Sequence, residues 1–154
     1  MTDTARIVAD ADVLAADLFL DGSAREVLDA IRAHDWLTLV ATPELLDDAE
    51  AVIERLGDDA LAADWRARIE DLATLVDQPA GDRPALAAAY RGDAAHLLTT
   101  DGRLTSIETN ATLKPRVETS IKTPDAFARL LDPDSLYEAL HENPYPGPDR
   151  DPRA

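Results

Sequence analysis

Cysteine is absent from this 154-residue chain. That excludes a disulfide framework, a thiolate metal site and a cysteine nucleophile. Aromatic residues are only 5% of the chain and the lysines are Lys114 and Lys122 alone, so nothing resembles the interleaved basic and aromatic surface on which bases stack. No apolar run approaches the roughly 18 residues of a membrane helix. The opening "MTDTAR" lacks the basic-then-apolar pattern of a secretory signal. No glycine-flanked elbow surrounds a serine, and His34, His96 and His141 fall in no ligand pattern. These absences predict a soluble, cytoplasmic protein, and the length suits one domain with a real core.

What is present is acid. Thirty-one Asp and Glu face fifteen Lys and Arg, for a net charge of −16. Net charge bears on solubility and association rather than on fold. This acid-rich, lysine-poor, alanine-rich composition resembles adaptation to a very salty cytoplasm, of the halophilic archaeal type. A polyanion repels nucleic acid at low ionic strength, but molar salt shrinks the screening length to roughly 3 Å. The acidity therefore argues only weakly against a nucleic-acid substrate.

Along the chain, Arg6–Ala9 reads as a buried strand followed by a helix over Val13–Leu20. "DGSARE" restarts a helix, with Ser23 and Glu26 spaced as a capping box. "WLTLVA" (36–41) is a second strand, and Thr42-Pro43 is a cap followed by a first-turn proline. That helix reaches about Leu56, and another is expected over Leu61–Val76. "DQPAGDRP" is a loop, Pro84 opens an alanine-rich helix ending at Gly92, and "AAHLLTT" is a third strand. "RVETSIK" reads as a fourth strand, Pro124–Leu131 as a helix, and Leu136–Leu140 as one more turn. Alternating strands and helices imply an α/β protein, a three-layer α/β/α sandwich around a mostly parallel sheet. The expected domain spans 5–132, with a C-terminal extension over 133–154 whose proline-rich last dozen residues are disordered.

In such sheets ligands gather at the carboxyl ends of the strands. Asp10 and Asp12 end the first strand and Asp101 follows the third, so these acids are expected on one edge. Asp82 precedes the Pro84 helix, where a carboxylate is electrostatically favoured. In the Thr42 helix, Leu45, Ala49, Val52, Ile53 and Leu56 share a face; Asp48 and Glu50 lie at its margins, and Asp48 is the better-placed acid. Several carboxylates without cysteine suit a hard, oxygen-seeking cation, Mg2+ or Mn2+. Such an ion activates water and steadies a phosphodiester under attack. Asp10 and Asp101 have a competing structural role at strand ends, Asp48 and Asp82 as surface charge or cap, and Thr99 as strand packing.

These residues resemble the PIN-domain metal-dependent ribonucleases. "ADADVLAADL" is similar to that family's opening strand, with Asp10 at its acid and Asp12 in place of asparagine. "TPELLDDAEAVIERL" places Asp48 at the second acid. "AGDRPALAAAYRGDAAHLLTTDGRL" resembles the later motifs through Asp82 and Thr99-Thr100-Asp101, and "IKTPDAFARLL" the closing strand and helix. The likeness covers about Arg6–Leu131. It departs at Ala95 and Arg103, where acids are frequent, and in the shorter reach of Asp48. It implies a PIN-like fold and an endoribonuclease whose Asp10, Asp48, Asp82 and Asp101 hold Mg2+ or Mn2+. RNA is then the substrate, hydrolysed without a covalent enzyme intermediate, and Thr99, Arg103, Lys114 and Arg116 are candidates for touching it. An antitoxin-like protein partner and a homodimer are further expectations. "VADADVLA" also resembles the opening of haloacid-dehalogenase-type phosphatases, in which Asp10 is a covalent nucleophile. A third possibility is a fold that has lost turnover and serves as a binding or regulatory module.

Overall fold

The structure, a computed structural model, describes residues 3–77, 84–100 and 120–149. Its strands are β1 (Asp3–Ala9), β2 (Thr38–Ala41), β3 (Thr74–Leu75), β4 (Ala94–Leu98) and β5 (Ser120–Lys122). They form one sheet in the order β3-β2-β1-β4-β5, and every pairing is parallel. The helices are α1 (Ala11–Phe19), α2 (Ser23–Ala33), α3 (Pro43–Leu56), α4 (Asp59–Leu72), α5 (Pro84–Arg91), α6 (Pro124–Leu130) and α7 (Pro133–His141). The architecture is a three-layer α/β/α sandwich.

The three inner strands explain that architecture. Ile7, Val8 and Ala9 of β1, Leu39 to Ala41 of β2, and Leu97 and Leu98 of β4 are all buried. Consecutive buried residues mean that both sheet faces are covered, as parallel sheets require. Among the described residues the outer strands are short, with two residues in β3 and three in β5. Gly92, just before β4, is needed for close approach: a Cβ there would stand 2.3 Å from Val40 Cγ1.

Helix starts follow local chemistry. Asp10 caps α1 through the Ala11 amide, and the Thr42 hydroxyl accepts from the Leu45 amide at 3.1 Å. Thr123 caps α6 in the same way. At α2 the expected cap is corrected. Gly22 is the N-cap and makes no side-chain bond, while Ser23 lies inside the first turn. Its hydroxyl donates instead to Asp125 of α6, so a contact across the fold outcompetes the local one.

Four further expectations are revised. The helix expected to Val76 ends at Leu72, and Thr74-Leu75 pair with Val40-Ala41 as an edge strand. The Val76 amide donates to the Ala41 carbonyl at 2.9 Å. Leu56 is 66% exposed at the last turn of α3, whereas Leu46 is fully buried. Residues 143–149, expected to be disordered, are held against the end of α2. Tyr145 meets His34 Nε2 at 2.5 Å, and the Asp149 amide donates to the Ala33 carbonyl at 2.7 Å. Trp36, expected in β2, packs edge-on against Tyr137 at 5.3 Å. Asp82, Asp101, Arg103, Lys114 and Arg116 lie outside the described residues.

One charge sits within this packing. Asp17 of α1 is 4% exposed and paired with Arg32 of α2, whose Nη1 also donates to Asp29 at 2.9 Å. Burial raises the Asp17 carboxyl above its ordinary range, while Arg32 opposes that shift. Breaking a buried pair by removing one partner strands the other charge, at a cost of about 3–5 kcal/mol. A raised folded pKa means that the folded state binds more protons, so ionising buried Asp17 lowers stability as pH rises, and Arg32 offsets that loss only where Asp17 is ionised. Arg32→Met is expected to destabilise the protein by about 3 kcal/mol at pH 7 and by visibly less near pH 5; urea unfolding at the two pH values checks this.

Candidate functional site

Strand order reverses around β1. The chain moves outward from β1 to β2 and β3, then returns to the other side of β1 as β4. The gap between the carboxyl ends of β1 and β4 is therefore the switch point at which ligands collect in open parallel sheets. Ala9 of β1 is in register with Leu98 of β4, so the residues after each strand meet there.

Asp10 is the first of them. Its amide donates to the Leu98 carbonyl at 2.8 Å, extending the ladder by one bond. Its Oδ1 accepts from the Ala11 amide at 2.8 Å, and its Oδ2 accepts from the Thr99 hydroxyl at 2.9 Å. A carboxylate bonded to donors and seated at a helix N-terminus is stabilised as the anion. Asp12, one residue into α1, is held from the same neighbour strand. It accepts from the Val13 amide at 2.8 Å and the Thr100 amide at 3.0 Å, and from the Thr100 hydroxyl. Two acids after β1 are thus clamped by two threonines after β4. Thr99 is fully buried, and its hydroxyl is spent on Asp10.

Asp48 lies in the second turn of α3, which begins at the carboxyl end of β2 on the same sheet edge and packs against α1. Its side chain is exposed. The other margin acid, Glu50, is half-buried and bonded to Arg66 of α4 at 3.0 Å, and Arg66 also reaches Asp47 and Glu70. Among the described residues no three carboxylates or histidines stand close enough to hold a metal ion. A site of that kind needs Asp82 or Asp101, which lie outside the described residues. Ala95 sits within β4, buried in the sheet.

His34 and His96, which fall in no ligand pattern, are both engaged in packing. His34 Nδ1 is 2.7 Å from the Ala30 carbonyl oxygen, which together with Tyr145 places it in a packed corner. His96 stacks near Phe127 at 4.8 Å, and burial, aided by the nearby Lys122 charge, lowers its pKa to about 4. The motifs did not announce the Ser23–Asp125 contact at the mouth of this edge. Its only sequence signal is that each residue opens a helix.

A parallel sheet with two clamped acids at its switch point defines the class: a parallel α/β protein with an acidic carboxyl edge. The chain belongs to a family of unknown function (DUF7384), whose model matches residues 1–153. No curated protein and no solved structure matches it.

Two outcomes test the geometry. Thr99→Val keeps shape and removes the donor to Asp10, and is expected to cost about 1.5–3 kcal/mol as a lost hydrogen bond to a charged group; thermal unfolding measures it. His96 is neutral in the fold at pH values where it would be charged in the unfolded chain. Its contribution is therefore present above about 6.5 and lost as pH falls towards about 4. His96→Leu is expected to flatten the stability loss across that window, read from urea midpoints at successive pH values.

Proposed function

We propose that this chain is a divalent-metal-dependent endoribonuclease with a PIN-like site, acting on RNA phosphodiester bonds in the cytoplasm. The observation that carries the reading is the clamp between β1 and β4, which fixes Asp10 and Asp12 at the switch point through Thr99 and Thr100. The donor chemistry fits the group. Asp10, Asp48, Asp82 and Asp101 offer only carboxylate oxygen, the ligand type that Mg2+ and Mn2+ prefer. When bound, such an ion lowers the pKa of water and offsets charge on the phosphodiester.

The chain's own residues would do the positioning. The Ala11 amide and the Thr99 hydroxyl hold the Asp10 carboxylate fixed in direction. Thr100 fixes the direction of Asp12. That fixed orientation matters because a loosened supporting shell typically costs roughly 10–100-fold in metal affinity or activity. The net negative charge opposes RNA at low salt, so activity is expected to rise with ionic strength before it falls.

The test is cleavage of an unstructured RNA in high salt with Mn2+. Asp10→Asn combined with Asp101→Asn is expected to lower the rate by roughly 100-fold or more. Unchanged Mn2+-dependent cleavage in that variant overturns the proposal. Trapping of a phosphate on Asp10 would point instead to phosphatase chemistry. Failure of Mn2+ to bind the wild-type chain would point to a binding module without turnover.

A further inference from the structure

Beside the clamped acids, on the same sheet edge, lies a cavity of about 290 Å3. Leu20 and Pro124 give it apolar walls, and Ser23, Thr100, Thr123 and Asp125 give it polar ones. Thr100 belongs to both places: its amide and hydroxyl hold Asp12, and its residue lines the cavity. Whatever occupies the cavity is therefore next to a group bound at Asp12.

The wall chemistry selects the occupant. Among the described residues the lining holds the Asp125 carboxylate and no cation, a wall that favours a hydrogen-bond donor over a phosphate. Hydroxyls and a carboxylate between apolar walls suit a heterocycle that stacks on one side and donates on the other. Ligand pockets run from roughly 300 Å3 upward, so this one has room for a single ring system rather than two stacked bases. The Ser23 hydroxyl donates to Asp125 Oδ1, which fixes the direction of that carboxylate.

We propose that the cavity is a base-binding subsite of the ribonuclease and that it takes guanine, an assignment that rests on the nuclease reading above. Guanine is the base whose Watson–Crick edge offers two adjacent donors, N1–H and the N2 amino group, and a carboxylate accepts such a pair through both oxygens. Uracil presents one N–H between two carbonyl oxygens, which face a carboxylate unfavourably. Adenine and cytosine each place a ring acceptor beside their amino group. Single-stranded RNA can offer this edge, because its unstacked bases are free to turn outward. Cleavage is then expected beside guanosine.

Gly22 supplies a clean test. It lines the cavity, a Cβ there meets nothing within 4 Å, and its φ of −147° is open to any residue. Gly22→Trp therefore fills the mouth without straining the backbone. The first measurement is titration of the full chain with guanosine and uridine 5′-monophosphates in high salt without metal. The wild type is expected to bind the guanosine nucleotide at least about tenfold more tightly. Gly22→Trp and Asp125→Ala, checked as folded by circular dichroism, are expected to lose that preference. Equal binding of the two nucleotides overturns the subsite, as does Gly22→Trp binding the guanosine nucleotide like the wild type. The second measurement maps cleavage sites on a mixed-sequence RNA. Asp10-dependent cleavage with no guanosine bias overturns the subsite and leaves the nuclease standing. Guanosine binding that depends on Gly22 and Asp125, in a chain that cleaves nothing, overturns the nuclease and leaves the cavity as a guanine-binding site.

Discussion

The parallel pairing of β1 with β4 is the constraint on which the rest depends. It sets Ala9 beside Leu98, and one further backbone bond, from Asp10 to the Leu98 carbonyl, carries the register past the end of the sheet. Two acids and two threonines then have no choice but to meet. A slip of one residue would turn Ile7 and Val8 to the opposite faces and would move Asp10 away from Thr99 at the same time. The core and the candidate site are therefore fixed by the same ladder, which is why the site sits on rigid strand ends rather than on a loop.

The surrounding helices hold that edge together by contacts that cross between elements. Ser23 at the start of α2 reaches Asp125 at the start of α6, and Arg32 of α2 holds Asp17 of α1. Arg25 donates to the carbonyls of Asp17 and Leu18 at 3.0 and 2.8 Å, satisfying the open end of α1. In a chain with twice as many acids as bases, these few arginines are placed where a carboxylate or a helix end has been removed from water. Surface acids such as Asp47 and Glu70 share one arginine, Arg66, and contribute little individually.

The order of strands and helices was readable because the signals are local and strong. Thr42-Pro43 and Thr123-Pro124 mark helix starts, and the runs ending in Ala9, Ala41 and Leu98 are apolar on both faces. The misreadings share one cause. Thr74-Leu75 became a strand because β2 offered an open edge, Ser23 left its capping role because Asp125 was within reach, and residues 143–149 settled because Tyr145 found His34. Each was decided by a partner distant in sequence, which no window of neighbouring residues contains. Of the candidate acids, Asp10 was placed by its position at a strand end. Asp48 was placed only by helical spacing, which cannot say how far its side chain stands from another strand.

Sequence alone determined the class of the fold and the chemistry available to it: an apolar β/α alternation covered on both faces, no thiol, and an abundance of carboxylate oxygen. Periodicity and composition are properties of the chain itself, so they need no knowledge of what lies nearby. Tertiary structure alone decided which of those carboxylates are held by donors, and which gap between helices became a cavity. Hydrogen bonds between groups nearly ninety residues apart, such as those from Thr99 to Asp10 and from Thr100 to Asp12, exist only once the strands have paired.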